Sequence, residues 1–284
     1  MERAVYMDYN ATAPIRPAVA AAMGRALELC GNPSSVHRFG RLARRRVEEA
    51  REAVAAFVGA RPDQVVFTAG GTEANNLALA GAGRDRHIVS AVEHDSVLRA
   101  ASPDAEILPV DANGVVDLSA LADRLARDPR PSLVSIMLAN NETGVLQPVA
   151  EAAEIAHARG ALVHCDAVQA AGKVPFEVAA LGVDLLSLSA HKLGGPQGCG
   201  ALIVGDNVPL APLLRGGGQE RSRRAGTENV AAIVGFGVAA AEAAREGPAE
   251  GAAVARLRDR LEAGARAACP ELRIFGIAAP RLPN

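Results

Sequence analysis

Seven short apolar runs, spaced between residues 64 and 205, constrain the fold most. They are QVVFTAG (64–70), RHIVSAV (86–92), AEILPV (105–110), SLVSIMLA (132–139), ALVHCDA (161–167), DLLSLSA (184–190) and GALIVG (200–205). Each is rich in Val, Ile and Leu, and none alternates cleanly between apolar and polar. Between most of them lie Ala-rich or amphipathic stretches of helical period, such as TEANNLALAGA, LSALADRLARD and VAEAAEIAHARG. A continuous apolar strand is one buried on both faces, and parallel strands need helical crossovers. The expectation is therefore an α/β chain, with a mostly parallel seven-stranded sheet sandwiched by helices.

After Gly218 the pattern changes. TENVAAIVGFGVAAAEAAREG and AEGAAVARLRDRLEAGARAAC read as two long helices joined near AREGPAEGA, by a short linker or a tight connection. LRIFG reads as a strand after them. RLARRRVEEAREAV reads as a solvated helix face, because Glu48, Glu49 and Glu52 follow its arginines closely. The formal net charge of -2 over 284 residues gives no basis for expecting a nucleic-acid or membrane-surface partner. No apolar run reaches about 18 residues, and no signal-type core follows Met1. Cys30, Cys165, Cys199 and Cys269 are far apart, without metal-type or disulfide-type spacing. They point to a reducing, cytoplasmic setting and to no metal site, with Cys165, Cys199 and Cys269 read as buried small hydrophobes.

Of the 30 basic Lys and Arg residues only two are lysines, Lys173 and Lys192. A guanidinium keeps its proton, whereas a lysine amine can lose it and bind an aldehyde. Lys192 follows the run DLLSLS, where ligands collect beyond the carboxyl ends of strands in an open α/β sheet. Other strand ends deliver matching groups. FTAGGTEANN puts Gly71 and Thr72 at a helix start, where backbone N–H groups suit a phosphate. HCDAVQA places Asp166 to face a cation such as a pyridinium nitrogen, with Gln169 just beyond. His94 in AVEHDSVL can stack on a ring or move a proton. Asn141 in LANNETG offers an amide, and Ser189 and His191 flank the lysine. The common user of such groups is pyridoxal phosphate. A plain turn with a helix cap remains the alternative for GGT, and a helix N-cap for Asp166. A dinucleotide site is excluded, because no GxGxxG follows the first strand.

The order and spacing of YMDYNATAP, GNPSSVHRFGR, FTAGGTEANN, VEHDSVL, NNETGVLQP, HCDAVQAAGK, SLSAHKLGGPQGCGAL and GGGQERSRRAGTENV closely resemble the cysteine desulfurases of the NifS/IscS type. These are class V aminotransferase-like pyridoxal-phosphate enzymes of fold type I. The resemblance implies that Lys192 is the Schiff-base lysine, with catalytic roles for Lys192 and His94. It implies that Gly71, Thr72 and Ser189 hold the phosphate, that Asp166 faces the ring nitrogen, and that Gln169 contacts the ring hydroxyl. His94 would stack on the ring, Asn141 would sit beside ring and substrate, and His191 would flank the lysine. Thr227 would reach the phosphate of a neighbouring subunit's cofactor, which implies a homodimer with composite sites. The implied reaction converts L-cysteine to L-alanine, leaving sulfur as an enzyme persulfide for iron–sulfur cluster assembly or other thiolation, with a sulfur-acceptor or scaffold protein as partner.

In that family the sulfur-accepting cysteine and a carboxylate-binding arginine lie beyond a segment like RLPN. The resemblance thus implies a cofactor-binding core without its sulfur relay, a truncated chain rather than a natural short form. Residues 16–245 would be the large domain, 1–15 a segment belonging with the small domain, and 246–284 the start of that truncated α+β domain. Selenocysteine lyases, aminotransferases and epimerases of the same class share the Lys, Asp and phosphate cup, while GGGQERSRRAGTEN and NNETG favour a desulfurase. A non-catalytic dimerising or scaffold partner is the reading from another class, and retention of Lys192 argues against it.

Overall fold

A computed structural model describes residues 4–284. All seven expected strands are present: β1 (Val65–Thr68), β2 (Arg86–Ser90), β3 (Glu106–Leu108), β4 (Ser132–Ser135), β5 (Leu162–Asp166), β6 (Leu185–Ser189) and β7 (Gly200–Val204). They form one sheet in the order β1-β7-β6-β5-β4-β2-β3. The pairs β6–β5, β5–β4, β4–β2 and β2–β3 are parallel, while β7 is antiparallel to both its neighbours. The helices are α1 (Pro17–Leu27), α2 (Arg38–Phe57), α3 (Gly71–Gly81), α4 (Asp95–Leu98), α5 (Leu118–Arg127), α6 (Val149–His157), α7 (Val178–Leu181) and α8 (Val230–Ala268).

The period-2 geometry of strands sends alternate side chains into two separate cores. Val65, Phe67, Val163, Cys165, Leu186 and Leu188 pack against α2, α5, α6 and α8. Val66, Leu133, Leu162, Leu185 and Leu202 pack against Ala74, Leu77 and Ala78 of α3 and Val97 of α4. On the α3 side each central strand grades from leucine to polar toward its carboxyl end. The series are Leu133–Ser135, Leu162–His164–Asp166 and Leu185–Ser187–Ser189. His164 braces the middle of this polar band: its Nδ1 lies 2.8 Å from Ser135 Oγ on β4, and its Nε2 2.9 Å from Ser187 Oγ on β6.

Three expectations need correction. The two helices after Gly218 are one continuous α8. Ion pairs from Arg16 to Glu246 at 2.6 Å and Glu250 at 3.1 Å hold it across the expected break. LRIFG is not a strand. The free edge beside Val145 is met instead by Arg281, with Leu146 N donating to Pro280 O at 2.8 Å and Leu282 N to Gly144 O at 2.8 Å. Cys269 is exposed rather than buried, on the α8 end where Val254, Leu257 and Leu261 are exposed too, whereas Cys165 and Cys199 are buried as expected. The arginine-rich face of α2 is mostly solvated, as Arg45 and Arg46 with Glu49 illustrate. Arg51 departs from it, being buried against Glu220. Among the described residues no helix is long and apolar enough to cross a membrane, and no three His, Cys, Asp or Glu side chains gather as a metal cluster.

Candidate active site

The polar band ends in a cleft of about 750 Å³ lined by Thr12, Gly70, Gly71, Thr72, Ser189 and His191, among others. Its floor is the start of α3. Gly70 caps that helix with φ 153° and ψ -179°, a region essentially reserved for glycine, and it supplies no side-chain cap. The first N–H groups of α3 therefore face the cleft without an intrahelical acceptor. A Cβ on Gly71 would meet Val168 Cγ2 at 2.8 Å, so only glycine lets the helix start sit this close to the turn after β5. Glu73, at the same helix end, is neutralised by Arg224 at 2.9 Å. The cradle and its hydroxyls fit a phosphate.

Lys192 lies in the short 3₁₀ turn Ala190–Lys192 that leaves β6 toward its antiparallel neighbour β7. Its Nζ donates to the carbonyl oxygens of Asn10 and, at 2.9 Å, Ala11. The N-terminal segment is fastened over this turn by Ala13 N donating to His191 O at 2.9 Å, and His191 Nδ1 lies 3.1 Å from Thr12 Oγ1. Burial holds the Lys192 amine below the ordinary lysine range, against the opposing pull of Asp166 and Asp8. His191 is lowered too, by burial and then by the Lys192 charge.

Asp166 ends β5 on the α3 face. Its Oδ1 accepts Val168 N at 2.9 Å and its Oδ2 accepts Asn75 Nδ2 at 2.7 Å. Burial raises its affinity for a proton, while those two bonds and the charge of Lys192 oppose the rise. Asn75 also donates to Ser96 Oγ at 2.8 Å, and Ser96 Oγ lies 2.8 Å from His94 Nδ1. His94 Nδ1 accepts Ser96 N at 3.1 Å, which makes it the unprotonated nitrogen and leaves the ring proton on Nε2. A continuous chain thus joins the expected residues His94 and Asp166 through two that sequence reasoning missed, Asn75 and Ser96. The signal for Asn75 was its position one helical turn after Gly71, on the same face of α3. Asn75 Oδ1 is buried without a partner.

Glu93, also missed, is buried beside this chain; its Oε1 accepts Ser90 Oγ at 2.7 Å and Met137 N at 2.6 Å. Burial pushes its carboxyl up to about 8, the Ser90 bond opposing and the Asp166 charge adding to it. Asn10 and Thr12 went unnoticed because nothing in YMDYNATAP predicts its return to the β6 end. Gln169 lies at the same place, its Nε2 donating to Asn10 O at 2.9 Å. Asn141 sits in the loop after β4 with its Nδ2 on Glu142 Oε1 at 2.8 Å, while its neighbour Asn140 shapes that loop by accepting Glu142 N and Thr143 N at 2.9 Å. Thr227 is not brought into the main cleft. It lines a second cavity of about 180 Å³ with Glu220, Arg224 and Cys199. Cys199 is buried there, its thiol pushed up to about 12.

Residues 5–278 match the family model for aminotransferase class-V. A cysteine desulfurase of Cereibacter sphaeroides is 47% identical, the alignment covering 100% of this chain and 76% of that protein. Among solved structures, a NifS-like protein from Rickettsia africae superposes with a TM-score of 0.94 at 37% identity, over 99% of this chain and 80% of that one. SspA in complex with cysteine superposes with a TM-score of 0.78 at 35% identity, over 84% of this chain and 72% of that one.

Proposed function

The chain belongs to the class-V aminotransferase family, and from that premise we propose that it is a cysteine desulfurase that binds pyridoxal phosphate. The observation that carries this is the meeting of a glycine cradle at the start of α3, a part-buried lysine and a buried aspartate at the carboxyl ends of β1, β6 and β5. When bound, the cofactor supplies an electron sink that acidifies the Cα–H of an amino-acid substrate.

The residues divide the remaining work. The N–H groups of Gly71 and Thr72, with the Thr72 and Ser189 hydroxyls, hold the phosphate. Asp166, oriented by Asn75 and Val168 N, holds the proton of the ring nitrogen. Gln169 and Asn141 orient ring substituents and substrate, and His94, with its ring fixed by Ser96, stacks over the ring. Lys192 would hold the aldehyde carbon of the cofactor, and its amine would move the substrate Cα proton, a role suited to a lysine whose proton is already loosened by burial. His191 sits beside it on Thr12. Thr227, held outside the main cleft, serves the phosphate of a second subunit in a homodimer. Residues 16–245 act as the cofactor-binding domain, and 1–15 and 246–284 go with the small domain. The setting is cytoplasmic, and a sulfur acceptor or iron–sulfur scaffold is the partner.

Among the described residues no cysteine lines the main cleft. The chain is therefore expected to bind cofactor and cysteine while forming little alanine when no other thiol is supplied. Multiple turnovers to alanine under that condition would refute this part. The main test is the absorbance spectrum of the purified chain with added pyridoxal phosphate, before and after borohydride, with peptide mass mapping. A visible band abolished by reduction, with the adduct on Lys192, is expected. A colourless chain, or an adduct elsewhere, overturns the proposal.

A further inference from the structure

Glu73 is an acid in the wall of a cleft suited to a phosphate. It stands in the first turn of α3 and lines the main cleft together with Gly71 and Thr72. A carboxylate and a phosphate at one helix end compete for the same partial positive charge and repel each other. Two contacts keep the carboxylate in place. Its Oε2 accepts Ala69 N at 2.8 Å, which closes the turn between β1 and α3 just before the Gly70 cap. It also accepts Arg224, with Nε 2.9 Å from Oε1 and Nη2 3.3 Å from Oε2.

We propose that Arg224 sets the phosphate affinity of the main cleft from outside it, as a positioning residue that acts by neutralising Glu73. The proposal rests on the reading of that cleft as a phosphate site.

Arg224 lines the smaller cavity, Glu73 lines the main cleft, and Ala69 and Gly198 line both. The ion pair therefore stands at the partition between the two spaces. Its side chains are only 21% and 17% exposed, so water screens the charges in part. Among the described residues the ion pair of Arg224 is with Glu73 alone, and Glu220, beside it in the smaller cavity, is already bonded by both terminal nitrogens of Arg51. The loop around Arg224 holds the guanidinium in position. Glu220 anchors it on Phe67 N, and Ala225 N donates to Leu214 O at 3.2 Å. Gly226 takes φ 106°, and a Cβ there would lie 3.3 Å from Arg224 Nη1.

Charge and architecture can be separated at this pair. The bond to Ala69 N needs only an acceptor oxygen, which a glutamine at 73 keeps while losing the charge. Removing Arg224 alone leaves a bare carboxylate beside the phosphate cradle, and removing both charges restores a neutral wall.

The test measures binding of inorganic phosphate by calorimetry, and of pyridoxal phosphate and pyridoxal by the visible band. It compares the full wild-type chain with Arg224→Gln, Glu73→Gln and the double variant. Arg224→Gln is expected to bind both phosphate ligands at least about fivefold more weakly, while pyridoxal, which has no phosphate, stays within about twofold. Glu73→Gln should bind phosphate at least as tightly as the wild type, and the double variant should return to wild-type affinity. Equal weakening of pyridoxal and pyridoxal phosphate in Arg224→Gln, or a double variant as weak as that single one, overturns the proposal, because the pair would then only fasten the loop. If Arg224→Gln does not fold, Glu73→Gln decides, since weaker phosphate binding there overturns it as well. A wild-type chain that binds inorganic phosphate but forms no reducible adduct on Lys192 would remove the functional reading and leave the phosphate comparison standing. A chain that binds neither phosphate ligand overturns both.

Discussion

Glu220→Ala is expected to destabilise the protein by about 3 kcal/mol, through a pair that joins the loop of Thr227 to the sheet. The Glu220 carboxylate accepts Arg51 Nη1 at 2.8 Å, Arg51 Nη2 at 2.9 Å and Phe67 N at 2.9 Å. The two side chains are only 2% and 6% exposed. Burial alone would weaken the Arg51 charge, but the bonds and charge of Glu220 outweigh it and raise the guanidinium's hold on its proton. Truncating one partner of such a buried pair costs about 3–5 kcal/mol, and the orphaned Phe67 N–H adds about 1–3. Two terms offset this. Arg51 keeps Glu48 at 3.2 Å and Val65 O at 2.9 Å. Glu220, Arg221 and Ser222 hold φ of 47°, 57° and 63°, a left-handed run that costs about 1–2 kcal/mol per residue and that a released loop can relax. Equilibrium urea unfolding of Glu220→Ala, Arg51→Met and the double variant measures the balance. The double variant should lose less than the sum of the singles, because it removes the charge together with its partner. A loss under about 1 kcal/mol for Glu220→Ala, or strict additivity, would refute this account.

His164 predicts a pH dependence. Burial pushes its imidazole down to about 3, so between that value and the ordinary value near 6.5 the unfolded chain binds a proton the folded chain refuses. Its contribution is complete above pH 6.5 and lost as pH falls toward 3, at about 1.4 kcal/mol per pH unit. Stability measured from pH 6.5 to 4.5 should fall less steeply in His164→Asn, and an unchanged slope would contradict the assignment. Gly71→Ala should weaken pyridoxal-phosphate binding at least tenfold, read by titration of the visible band, because its Cβ meets Val168 Cγ2 at 2.8 Å. Retention of wild-type affinity would mean that the cradle does not hold the phosphate.

The seven apolar runs were legible as strands because both faces of the sheet are covered, and that burial writes itself into consecutive residues such as Leu185–Ser189. The helix over 38–57 was legible in the charge pattern of RLARRRVEEAREAV, whereas the helix over 17–27 carried no signal that the strand pattern could show. The single α8 was misread, since GPAEG carries local turn chemistry that packing and the Arg16 ion pairs override. LRIFG has strand composition without an edge to pair with, and composition does not report which edge is free.

The residue types of the site were set by the sequence itself: a rare lysine, a glycine pair before a helix, an aspartate and a histidine closing apolar runs. Those signals are local, because each depends on a residue's position relative to its own strand. What tertiary structure decided is the company they keep. Asn75 and Ser96 link His94 to Asp166, Asn10 returns to gather both lysines, and Glu220 reaches across to Arg51. Each of these contacts joins elements far apart in the chain, so the neighbour that shifts a proton affinity or fixes an amide is determined only when the sheet brings its strand ends together.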